Sequence, residues 1–270
     1  MTTVSLPTGA GTRLSRFTDV FAAEWIKLRS LRSTAWVLLC AFASAVTVGV
    51  LMANSEVGEW PRMSPAQRAG VDPLADPYLG FMVAQLIFAT LGVLTVTGEY
   101  SSGLIRTTFT AVPGRRTVLA AKAAVITAVS VPVGAVTATT TFLIGQALFA
   151  QRHIGLSITD PGAVRSIVAA TFYLVAVALV GAGLGVLLRH TAAAIGGLVA
   201  LLFLAPQLIH GSAQWVIDIE NALPGNAIRR LVSLHVEHGA PSMTHAFLVI
   251  AVYPAVALTA ALVLIHRRDA

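Results

Sequence analysis

Six long runs of residues without a single Asp, Glu, Lys or Arg constrain this chain more than any other feature. Each run has about 20 residues or more, the length at which an α-helix crosses a hydrocarbon core roughly 30 Å thick. The predicted spans cover residues 34–53, 78–98, 123–150, 166–188, 192–211 and 246–265. The runs are continuously apolar, whereas the strands of a membrane barrel alternate in polarity over about 10 positions. We therefore predict an all-α integral membrane protein with six transmembrane helices.

Composition and charge agree with this class and indicate an orientation. Only 11% of the 270 residues are charged, against about 25% in soluble domains. The side that holds both chain ends, the loop 99–122 and the turn at Arg189 carries 12 of the 18 basic residues. Because basic residues in short loops stay in the cytoplasm, both termini are predicted to be cytoplasmic. The net charge of +6 is then explained by anchoring to the anionic lipids of the cytoplasmic leaflet, and no nucleic-acid partner is expected.

The segments outside the spans have distinct patterns. Residues 1–13 are small and polar, which predicts a disordered tail, and 266–270 form a second cytoplasmic tail. Residues 14–33 place apolar side chains on one arc of a helix, which predicts an interfacial amphipathic helix. Residues 212–245 are too polar to cross alone but contain apolar turns, which predicts two short helices that lie at, or dip into, the outer leaflet. Gly181 and Gly185 are spaced for close helix packing, which we expect against the fifth span.

Several catalytic signatures are absent from the sequence. The chain has two lysines, Lys27 and Lys122, and neither follows the glycine pattern of a P-loop, so ATP hydrolysis is not expected in this chain. No residue pattern predicts a bound cofactor or a catalytic residue. The pair His210 and Ser212 leaves an intramembrane hydrolase as a remote alternative. His235, with His238 and His245 nearby, gives only a weak metal signal, since exposed histidines are common.

The loop between the second and third spans carries the positive signal. It reads EYSSGLIRTTFTAVPGRRTVLAAK over 99–122. Gly103 breaks the first turn, and Leu104, Ile105 and Phe109 provide a short apolar face before a Pro-Gly stop. Such a short helix can pack into a groove on a cytoplasmic partner.

Three elements follow one another along the chain, which are EWIKLRSLRST at 24–34, EYSSGLIRTT at 99–108 and PGRR leading to Lys122. In their order and spacing they resemble the permease subunits of ABC-2 type transporters, bacterial exporters whose ATP-binding cassette is often a separate polypeptide. The resemblance covers nearly the whole chain. The common Gly-Thr pair after the glutamate is Gly103-Leu104 here, which departs from the family pattern.

The resemblance implies a role for each segment. The 99–112 segment is similar to the coupling helix that docks on the cassette, with Glu99, Gly103 and Arg106 matching the family element and Leu104, Ile105 and Phe109 beside them. The 14–33 segment is similar to the connecting helix, which contains Glu24, Trp25, Lys27 and Arg29. The 212–245 segment is similar to the family's outer re-entrant helices. ATP and Mg²⁺ would bind to the partner subunit, and a second permease subunit would complete the path in the bacterial plasma membrane. A membrane scaffold that binds partners without transport is the alternative from another class.

Overall fold

The computed structural model describes residues 13–267 except 113, 210, 212 and 236–239, and this part of the chain is helical without strands. It contains the α-helices α1 (Arg13–Ser30), α2 (Arg32–Glu59), α3 (Pro65–Gly70), α4 (Phe81–Ser101), α5 (Leu104–Ala111), α6 (Arg115–Phe149), α7 (Ala163–Leu188), α8 (Thr191–Val199), α9 (Ala205–Leu208), α10 (Gln214–Asn221), α11 (Pro224–Val232) and α12 (Met243–Arg267). A π-helical turn, Ala200–Leu204, joins α8 to α9.

Six helical segments in the described residues are long and apolar enough to cross a membrane. They are Arg32–Arg62, Asp76–Ser101, Arg115–Arg152, Ala163–Leu188, Thr191–Leu208 and Met243–Ile265. The prediction of an all-α protein with six such helices is confirmed at the level of length and composition.

The third of these segments is much longer than a span requires. Helix α6 has 35 residues, about 52 Å at 1.5 Å per residue, and begins at Arg115, eight residues before the predicted start of the span. Its far end is fixed by Gln146, whose Nε2 donates to the Pro73 carbonyl at 2.6 Å and whose Oε1 accepts from the Leu156 amide at 2.7 Å. Helix α6 therefore contributes to both ends of the bundle.

Small residues bring α4 and α7 together in the centre of the core. A Cβ atom on Gly92 of α4 would overlap the Ala178 carbonyl of α7, and one on Gly181 of α7 would overlap the Ala89 carbonyl of α4. Gly185 also faces α4, at Val93. The predicted glycine face of the fourth span therefore packs on the second span, where we had expected the fifth.

Helix α2 also packs through small residues. Its buried face contains Ala41, Ala45, Gly49 and Ala53, one every fourth residue. Gly49 lies against the Pro77 carbonyl, and Gly80 lies against the Ala45 carbonyl. A Cβ on either glycine would overlap those atoms, so this spacing fixes the 3₁₀ turn Asp76–Gly80 against α2.

At the far end of the bundle, one aspartate ties the chain after α11 to the loop before α4. Asp72 Oδ2 accepts from Ser233 Oγ at 2.5 Å and from the Leu234 amide at 2.8 Å, and it lies 3.2 Å from His235 Nδ1. Arg165 of α7 donates to the carbonyls of Leu231 and Ser233 at 3.0 and 2.9 Å. We call this arrangement the Asp72 clasp. It fixes the end of α11, and both short helices α10 and α11 lie within the predicted outer segment 212–245.

Candidate functional site

Four charged side chains from three helices meet at the end of the bundle where α5 lies. Lys122 Nζ of α6 lies 2.6 Å from Glu24 Oε2 of α1 and 2.6 Å from Glu99 Oε1 of α4. Lys27 Nζ of α1 lies 2.8 Å from Glu24 Oε1 and 3.0 Å from the same Glu99 oxygen. We call this group the charge cluster. Two ammonium groups thus bridge two carboxylates that belong to different helices.

Three of these four side chains are withdrawn from solvent. The exposed fraction is 3% for Lys122, 4% for Glu24 and 9% for Glu99, whereas Lys27 is 42% exposed. Isolated buried charges are costly, but here every charge has two opposite partners and the cluster is neutral as a whole. Such a network fixes the relative positions of its helices, because separating them would leave a buried charge without a partner.

Lysine suits both bridging positions because of its geometry. An ammonium group is a compact charge with three donors, so one nitrogen reaches two carboxylates that approach from different directions. The two lysines in the chain both lie in this cluster. Partial burial opposes the charge on Lys27, but hydrogen bonds to Glu24 and Glu99 outweigh it and raise its pKa. Lys27 is therefore positively charged at neutral pH.

Apolar packing sets the positions of these charges. Val20 of α1 packs against Val118 and Ala121 of α6, with Phe17 and Phe21 alongside. Glu24 follows Val20 by one helical turn, and Lys122 follows Ala121 directly, so the same faces that join the helices bring the two charges together. Part of the apolar arc of α1 therefore packs against α6 of the same chain.

The end of α4 is also held from its other side. Thr191 Oγ1, at the start of α8, donates to Thr97 Oγ1 at 2.8 Å. Arg189, in the turn between α7 and α8, lies over the ring of Tyr100 at 5.2 Å from its centroid. This turn has a left-handed residue at Arg189, with φ of 52°. The last turn of α4 is therefore fixed by α1, α6 and the α7–α8 turn together.

Helix α5 projects from this fixed end of α4. Gly103 joins the two helices with φ of 73°, a left-handed conformation that favours glycine. Leu104 is 52% exposed, whereas Ile105 is buried, with 7% exposure. The outward surface of α5 therefore includes Leu104 and the exposed Thr107 and Thr110, while Ile105 packs on the protein itself. The side chains of Arg106 and Phe109 lie outside the described residues.

The predicted connecting-helix residues separate into two groups. Glu24 and Lys27 belong to the charge cluster, whereas Trp25 stacks on Phe21 with ring centroids 6.2 Å apart and Arg29 is exposed. Sequence reasoning placed Lys122 only at a loop boundary and missed its role. A usable signal was present, because lysine is rare in this chain and both copies lie within reach of a span end.

Other sequence candidates do not form a site in the described residues. His210, Ser212 and His238 lie outside them, and the described residues contain no group of three or more His, Cys, Asp or Glu that could hold a metal ion. His235 belongs to the Asp72 clasp.

No family model and no curated protein matches the chain.

Proposed function

We propose that this chain is the membrane-spanning permease subunit of an ABC-2 type export system. It would form the translocation path and work with a separate ATP-binding subunit that binds ATP and Mg²⁺. The charge cluster, α5 and both termini would face the cytoplasm of a bacterium, as the distribution of basic residues indicates. The observation that carries this proposal is a short, exposed helix attached to a buried ion-pair network that joins three helices.

The geometry suits transmission of movement. A force on α5 acts on the last turn of α4 through the two-residue connection at Ser102 and Gly103. Glu99 passes that displacement to α1 and α6, because its Oε1 holds both lysines. Rigid elements joined by buried charges move together, whereas a flexible loop would dissipate the movement. This is the arrangement that a coupling helix needs.

A second permease subunit is supported by one open helix face. The first and fifth spans are the least buried: 17% of the apolar part of each is buried inside the chain, against 67% in the fourth. Ala192, Gly196 and Ala200 are exposed along α8 and the π-helical turn at four-residue spacing, and a Cβ on Gly196 would meet nothing within 4 Å. Small residues at this spacing allow two membrane helices to approach closely. We assign this face to contact with a second copy or a related subunit.

The experiment is reconstitution with the cassette ATPase encoded beside this chain. Wild-type protein should retain that ATPase in mild detergent and raise its turnover in vesicles. Leu104→Asp should weaken retention about 30-fold, since loss of a central apolar anchor costs roughly 2 kcal/mol or more. The control is Ala22→Asp, which adds the same charge at an exposed position of α1.

Two results would contradict the proposal. If the wild-type chain does not retain the ATPase, the proposal of a permease coupled to that subunit fails. If Leu104→Asp and Ala22→Asp retain and stimulate it equally, α5 is not the docking helix. Retention without ATP-dependent flux would favour the scaffold alternative.

A further inference from the structure

A half-open cavity lies directly beside the charge cluster. Its volume is about 390 Å³, within the range of about 300–1,000 Å³ that is usual for small-molecule sites. Glu24, Lys27 and Glu99 border it on one side, and Val37, Leu91 and Leu94 border it on the other. A cavity with a charged end and an apolar wall fits an amphipathic molecule.

The cavity opens beside exposed apolar side chains. Leu31, Leu94 and Leu104 line it and are 56%, 43% and 52% exposed. Trp36, next to the lining residue Val37, is 66% exposed. Because these residues border the first turns of α2 and the last turns of α4, the opening faces the level where headgroups meet acyl chains. An occupant with a long chain can therefore extend from the cavity into the bilayer.

The charge near the cavity favours an anion. The two carboxylates and two ammonium groups of the cluster cancel, and the other charged residues between 24 and 34 are Arg29 and Arg32. Both arginines are exposed, and they alternate in sequence with the lining residues Leu28, Ser30, Leu31 and Ser33. Lys27 is partly exposed and borders the cavity together with Glu24 and Glu99, whose charges it shares with Lys122. A phosphate at the mouth would meet the ammonium group of Lys27, and Arg29 and Arg32 each lie one residue from a lining position in the sequence.

We propose that this cavity binds one anionic phospholipid of the cytoplasmic leaflet, with its phosphate at Lys27 and one acyl chain along Leu91 and Leu94. The leaflet follows from the orientation under the proposed function, but binding itself requires no ATPase. Since the lipid would touch α1, α2 and α4 at once, its presence would hold α1 in place over the end of α4. Membrane composition would thereby act on the same helices as the charge cluster.

The test is lipid retention measured by native mass spectrometry on the purified chain in detergent. Phosphatidylglycerol and phosphatidylcholine with identical acyl chains are the probes. Wild-type protein should retain one phosphatidylglycerol at least about tenfold more than phosphatidylcholine, since each nearby basic residue contributes about fivefold toward an anionic headgroup. The double variant Arg29→Gln, Arg32→Gln should lose most of that preference.

Two variants fill the cavity from different helices, Val37 on α2 and Leu94 on α4, so that a folding defect in one leaves the other to decide. Leu94→Trp and Val37→Phe should each lower phosphatidylglycerol retention at least about fivefold. Leu188→Trp is the matched control, because Leu188 has 45% exposure at the same end of the bundle and does not line the cavity. It should retain the lipid as the wild type does.

Several results would overturn the assignment. Equal retention of the two lipids, or unchanged retention in both cavity-filling variants, excludes an anionic lipid site here. Displacement by excess inorganic phosphate would identify a free anion as the ligand. If the two cavity-filling variants form fewer dimers than the wild type but retain the same amount of lipid, a second copy of the chain covers the cavity. None of these results depends on ATPase coupling, so that proposal stands or fails separately.

Discussion

Lys122 and Lys27 make the same kind of contact but should differ strongly in their effect on stability. Lys122→Met removes a 3% exposed ammonium group that bridges two buried carboxylates. Breaking a buried pair in this way costs about 3–5 kcal/mol. Lys27 remains at 2.8 and 3.0 Å from the same carboxylates, which places the expected loss at the lower end, about 3 kcal/mol. Lys27→Met removes a 42% exposed group and should cost only about 1 kcal/mol or less.

The measurement is the free energy of unfolding in mixed micelles of increasing SDS content, followed by circular dichroism. A second substitution shows that charge is responsible. Adding Glu24→Gln to Lys122→Met leaves Glu99 with Lys27, so the orphaned charge disappears and the double variant should be more stable than Lys122→Met alone. Coupling of about 0.5–3 kcal/mol is usual for residues in one network.

The dependence of stability on pH above neutrality tests the contribution of Lys27. The pKa of Lys27 is raised above its ordinary value of 10.5, so its contribution is complete below that pH and is lost as pH rises through the raised value. Equal losses for Lys122→Met and Lys27→Met, or additive effects of Lys122→Met and Glu24→Gln, would refute the view that the cluster is a buried, mutually dependent network.

Three further predictions concern other parts of the fold. Gly92→Ala should lower the free energy of unfolding by about 1–3 kcal/mol, because the new Cβ would overlap the Ala178 carbonyl; Gly98→Ala in the same helix, with nothing within 4 Å, is the control, and equal effects would disprove the close approach. Asp72→Asn should cost about 2 kcal/mol at pH 7. Burial opposes the charge on Asp72, but hydrogen bonds from Ser233 and backbone amides outweigh it and lower its pKa. The stability difference from wild type should therefore shrink progressively as the pH falls below 3.8; a difference that does not change with pH would contradict this. In a Cys40→Ala background, Gly196→Cys should form disulfide-linked dimers, whereas Val168→Cys, 54% exposed on α7, should not; equal cross-linking would remove the evidence for a subunit contact at α8.

The spans were predictable because membrane insertion leaves a strong compositional signal. Charged residues stop the apolar run, so the predicted boundaries fell at Gly98 and Ala123. The helices themselves continue past those points to include Glu99 and Lys122. A hydropathy pattern records where lipid contact ends, whereas helix length depends on backbone hydrogen bonds that continue beyond the membrane.

The charge cluster was less accessible to sequence reasoning. Glu24 and Lys122 are 98 residues apart, and only the packing of Val20 against Val118 and Ala121 brings them together. The helix on which Gly181 packs was predicted wrongly for the same reason. A small-residue face predicts close approach, but the complementary face on α4, at Ala89 and Gly92, is recognised only when both helices are in place.

The length of α6 has a mechanical consequence. Lys122 at one end and Gln146 at the other are 24 residues apart on a single helix, a rise of about 36 Å. Lys122 is fixed to helices α1 and α4, whereas Gln146 is fixed to the loops at Pro73 and Leu156. A continuous helix carries a shift along its axis from one end to the other. The groups bound at the two ends of α6 therefore move together along that axis. Pro132 lies between them, and since proline removes a backbone hydrogen bond, bending concentrates there. The two surfaces can therefore tilt about Pro132 while their separation along α6 stays constant.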